Sequence, residues 1–118
     1  MYSKKKTERI INKYAPLFIK KLRLNPKKIT FGVIKHEEGE KLYGECYNSI
    51  DCRINIYYNM HTSHKQVLST LFHELLHHKL YRLKRRYKDS IAEEHFIRTI
   101  EDIYLEALHY NVLMLFIK

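Results

Sequence analysis

A chain of 118 residues, 45% of them apolar, is long enough to bury one hydrophobic core. Three glycines and two prolines argue against a fibrous or disordered chain, and the lack of an apolar run after the basic start argues against a signal peptide or membrane span. The net charge of +9, much of it in clusters such as Lys4-Lys5-Lys6 and Arg82-Lys84-Arg85-Arg86, suits either a solvated surface or a polyanion partner, and does not choose between them.

Residues 7–22 carry Ile10, Ile11, Tyr14, Leu17, Phe18 and Leu22 at helical spacing. Pro16 should kink or split that helix, because it has no amide proton to bond back to Asn12. Asn25-Pro26 ends the helical region. Three strands are expected next, at residues 29–35, 42–47 and 53–58, each alternating along its length. Short connections between them predict an antiparallel meander, with the third strand at its edge. Cys46 and Cys52 fall within or beside this hairpin and fit a reducing compartment in which both stay thiols.

Ser63-x-x-Gln66 is a capping box that starts a helix running to about residue 86. Asp89 or Ser90 caps a last helix, whose stripe includes Ile97, Ile100, Ile103 and Tyr104. The expected fold is therefore α+β in a single domain over residues 1–118. A leading helix and a three-stranded meander precede two long helices.

The first of those two helices contains His73-Glu74-Leu75-Leu76-His77. Positions i and i+4 share a helix face, so both imidazoles can reach one metal ion. Zinc suits this donor set, and Glu74 sits beside it where a carboxylate can take a proton from activated water. A catalytic zinc normally needs a third protein ligand. Relative to Ile100, Glu93 lies about 20° away, within the apolar stripe of the last helix, where a buried carboxylate requires a partner. Glu93 is therefore selected, with Glu94 as the alternative. Ser90-x-x-Glu93 is also a capping box, which offers Glu93 a different task. His78 points about 100° away from His77 and reads as a surface or supporting group. Cys46, Cys52, His61 and His64 do not match the spacing of a usual zinc finger.

With these motifs the chain resembles the gluzincin metallopeptidases, and most closely the archaeal minigluzincins, small soluble zinc peptidases. The resemblance rests on the leading helix, the meander ending Arg53-Ile54-Asn55-Ile56-Tyr57-Tyr58, the His73-Glu74-Leu75-Leu76-His77 helix and a glutamate helix beginning Glu93-Glu94. It implies a zincin-like fold, His73 and His77 as ligands of Zn2+, Glu74 as general base, and Glu93 or Glu94 as third ligand. Many gluzincins place an Asp four residues beyond that glutamate; here those positions are Ile97 and Arg98.

The resemblance further implies an endopeptidase acting on flexible or unfolded polypeptide. Its substrate would extend along the edge strand, here taken as Ile54, Asn55, Ile56 and Tyr57. It also implies latency: the apolar tail, residues 112–117, could fold back as in a zymogen, pair with another copy, or simply end the last helix. A cytoplasmic protein with no membrane partner is expected. The competing reading is a basic, SprT-like or nucleic-acid-associated zinc protein.

Overall fold

The computed structural model describes residues 2–37, 39, 41–49, 51–82, 93–95 and 97–100. The chain falls into two compact units, Met1–Arg85 and Arg86–Lys118.

In the first unit, Ser3 opens helix α1 (Lys4–Lys21) by accepting a hydrogen bond from the Lys6 amide at 3.1 Å. Buried Thr7 donates its hydroxyl to the Ser3 carbonyl at 3.0 Å, so its polar atom is satisfied. The helix buries Ile10, Ile11, Tyr14, Ala15, Phe18 and Ile19, a stripe at spacings of three and one. The split that Pro16 could have caused does not occur: α1 runs through it as one helix. Asn12 and Pro16 both lie on its exposed side, so water can reach the carbonyl that the proline leaves unpaired. The helix ends in a turn with Arg23 in the left-handed region, at φ 55°. There the Arg23 and Leu24 amides bond to the Lys20 and Ile19 carbonyls.

The sheet holds β1 (Ile29–Ile34), β2 (Gly44–Tyr47) and β3 (Cys52–Tyr57). Its order is β1-β3-β2, with β1 parallel and β2 antiparallel to β3. The antiparallel meander is thus corrected to a mixed sheet. Only β2 and β3 form a hairpin. The ends of β1 and β2 are separated by the place that β3 fills, a gap of about 10 Å. The edge assignment is corrected with it. Ile54, Asn55, Ile56 and Tyr57 lie on the central strand, paired with β1 on one side and β2 on the other. Burial explains the choice. Strand β3 buries Cys52, Ile54, Ile56 and Tyr57, whereas β2 carries Glu45 and the exposed Tyr47.

Helix α2 (His64–Arg82) packs against α1, β2 and β3 and is buried around much of its circumference. Phe72 meets Phe18 of α1 edge-on, with ring centroids 5.3 Å apart. In the second unit, residues 93–95 and 97–100 are helical and Ile97 is fully buried. Within it, Glu94 lies 3.9 Å from Arg98, and the Thr99 hydroxyl bonds to the His95 carbonyl at 2.9 Å. The expected caps Asp89 and Ser90, and the tail at residues 112–117, lie outside the described residues. No helix among the described residues is long and apolar enough to cross a membrane.

Candidate metal centre

The start of α2 fixes where its later residues fall. Ser63 accepts from the Gln66 amide at 3.1 Å, as a capping box requires. The Gln66 side chain reaches one residue further back than expected, accepting from the Thr62 amide at 2.7 Å and the Thr62 hydroxyl at 3.0 Å. From this start the helix presents Thr70, Glu74 and His78 at successive turns, all buried, while His73 and His77 are half-buried.

Each residue of that buried polar stripe has an identifiable neighbour on the sheet side. Thr70 donates to His61 Nε2 at 2.8 Å, and His61 Nδ1 donates to the Tyr57 carbonyl at 2.8 Å. A carbonyl can only accept, so Nδ1 carries a proton, and in the neutral ring Nε2 is left to accept from Thr70. Burial holds its pKa below the ordinary value of 6.5, which agrees with that state. His61 is thus a strut between the end of β3 and α2, and its hydrogen bonds leave it no part in a zinc finger.

Next along the stripe, Glu74 lies against Gly44, the first residue of β2. A Cβ on Gly44 would stand 3.4 Å from Glu74 Cγ, 2.8 Å from Thr70 Cγ2 and 2.9 Å from the Asn55 carbonyl oxygen. Only a residue without a side chain lets β2 approach α2 so closely. At the far end, His78 bonds through Nδ1 to Asn48 Oδ1 at 2.8 Å, just past β2. His78 is therefore buried rather than at the surface. Burial, then the charge of Arg82, lowers its pKa. The Cys46 sulfur is 3.5 Å from the same Asn48 oxygen and 3.5 Å from the Cys52 sulfur, and both cysteines are free thiols.

On the neighbouring face of α2 the His73 and His77 rings have centroids 4.9 Å apart and planes at 69°. Among the described residues, His73, His77 and Glu94 form the group of residue types that could hold a metal ion. The acidic member is Glu94, the alternative named from the sequence, and Glu93 is not in the group. Two neutral imidazoles and one carboxylate form a donor set that fits zinc and other divalent first-row metals.

Gly44, Thr70, His61 and Asn48 were not foreseen as supports of this region. The partial signal for them was the i+4 relation of Thr70, Glu74 and His78, which puts three polar groups on one buried stripe. Compared with known proteins, the chain is matched by no family model, no curated protein and no solved structure.

Proposed function

We propose that this chain is a zinc-dependent peptidase of gluzincin type, with His73, His77 and Glu94 holding the metal and Glu74 as general base. The observation that carries the reading is the placement of Glu74. It lies next to the histidine pair in sequence and is packed directly beneath Gly44 of the edge strand β2. A catalytic carboxylate must reach both the activated water and the leaving nitrogen, and so belongs where substrate backbone passes.

The side of β2 that no described strand pairs with is where an extended peptide would lie. It would add by main-chain hydrogen bonds, with its backbone held close to Glu74. This moves the substrate strand from β3, whose two sides are both occupied, to β2. When bound, the metal supplies Lewis-acid activation of water and of the scissile carbonyl. Glu74 would take the proton of the attacking water and return it to the departing amine. Flexible polypeptide is the substrate class, because only an unfolded segment can offer a free strand to an edge.

The test combines metal content with hydrolysis of an unfolded protein such as casein. The wild type should carry about one zinc per chain, as one three-ligand site holds one ion. His77→Ala and Glu94→Ala should lose it and Glu93→Ala keep it. Glu74→Gln should keep the metal while losing on the order of 100-fold or more in rate. A folded protein that takes up no zinc, or a Glu74→Gln variant as active as wild type, would overturn the reading.

A further inference from the structure

At the opposite edge of the sheet, β1 pairs only with β3 among the described residues. Natural edge strands are usually blunted by a charge, a proline or a bulge. Strand β1 reads Ile29-Thr30-Phe31-Gly32-Val33-Ile34, with none of the first two, and it pairs in unbroken register along all six residues. Its apolar residues are incompletely covered: Phe31 and Val33 are half-buried, and Ile34 is 39% exposed. Alongside runs a groove of about 350 Å³, lined by Phe31 and Val33 of β1, by Lys4, Glu8 and Ile11 of α1, and by Arg53 of β3.

Lys4 and Glu8 are one helical turn apart and face the same groove, so the helix offers it both signs of charge. That pairing of opposite charges on one helix face is no specific match for a polyanion. It does suit a surface that meets itself. A two-fold axis perpendicular to the sheet sets β1 antiparallel to its own copy and brings the two α1 helices together, antiparallel, on the same side. With the axis set level with the turn between residues 4 and 8, Lys4 falls opposite Glu8 of the second copy, and Glu8 opposite its Lys4, as an isologous contact requires. We propose that β1 and the N-terminal half of α1 form a homodimer interface, joining two three-stranded sheets into one of six strands. The interface is independent of the peptidase reading, since it uses the edge remote from β2.

Sedimentation equilibrium over a range of protein concentrations tests it on the full chain, with circular dichroism as a check on folding. The wild type should be a dimer in the micromolar range. Lys4→Glu and Glu8→Lys should each raise the dimer dissociation constant about tenfold, because each turns two attractive contacts per dimer into repulsive ones. The double swap should return it to near the wild-type value. Lys4→Glu also places an acidic group in the first turn of α1, which favours the helix, so a weaker dimer there cannot be blamed on unfolding. Ile34→Lys, which puts a charge on the exposed edge, should give a monomer. A wild type that stays monomeric at all concentrations would overturn the proposal and leave this edge for a strand from another protein. So would a dimer indifferent to both charge swaps and to Ile34→Lys.

Discussion

Gly44 of β2 and Glu74 of α2 are packed so closely that a methyl group on residue 44 would lie 3.4 Å from the Glu74 side chain. The same methyl would lie 2.8 Å from Thr70 and 2.9 Å from the Asn55 carbonyl, and the latter is backbone that cannot swing aside. Gly44→Ala should therefore push β2 away from α2. Overpacking of this kind costs about 1–3 kcal/mol, measurable as a lower urea midpoint at unchanged slope. If β2 carries substrate beside Glu74, hydrolysis should fall further than the loss of folded protein explains. An alanine variant with wild-type stability and activity would show that the close approach has no consequence.

His61 makes stability depend on pH. Its folded pKa lies below 6.5 because the ring is buried, so as pH falls through about 6.5 the unfolded chain binds a proton that the folded chain refuses. More protons on the unfolded side means that stability falls on acidification, and flattens only below the folded pKa. His78, also lowered by burial, adds to the same slope. Urea denaturation between neutral pH and pH about 5 should show this decline. In His61→Gln it should be shallower, even though the variant is less stable throughout. An equal slope in the two proteins would mean that His61 is not the group being titrated.

The two sulfurs of Cys46 and Cys52 are in contact but unbonded, and their hydrogen bond together with burial pushes the Cys46 thiol well above its usual range. The same bond lowers Cys52, which is only 1% exposed. Since the thiolate is the reactive form, Cys46 should resist iodoacetamide in the native protein at a pH of about 8, while both cysteines react after unfolding. Mass spectrometry of the labelled peptides separates them. Labelling of native Cys46 as fast as in urea would contradict the assignment.

Legibility from sequence followed the range of the interactions involved. The histidine pair and the α2 cap were readable because helical periodicity and capping act within a few residues, and His73-Glu74-Leu75-Leu76-His77 needs nothing beyond its own helix. Strand positions were readable from alternation for the same reason. Strand order was not, because it depends on which strand can be covered on both sides. That comparison sets Ile54 and Ile56 against Glu45 and Tyr47 across the whole sheet. His61 and Asn48 were missed because each gains its meaning from a residue in another element: Thr70 of α2 for one and His78 of α2 for the other.

Pro16 supplies the remaining prediction, and it tests the reading of α1 as a helix whose exposed side tolerates the defect. A proline inside a helix removes the bond to the carbonyl four residues earlier, and its ring crowds that carbonyl. Here the carbonyl belongs to exposed Asn12, so water can compensate for part of the loss but not for the crowding. Nothing in the buried stripe depends on residue 16, since its neighbours Tyr14, Ala15, Phe18 and Ile19 carry the packing. Pro16→Ala should restore a helical hydrogen bond without disturbing the core, and raise stability by about 1–3 kcal/mol. Part of that gain is offset because alanine leaves the unfolded chain freer than proline does. Thermal unfolding followed by circular dichroism gives the answer. A lower midpoint in the alanine variant would mean that the proline stabilises α1 through its constraint on the unfolded chain, and that the intact helix needs no repair at this position.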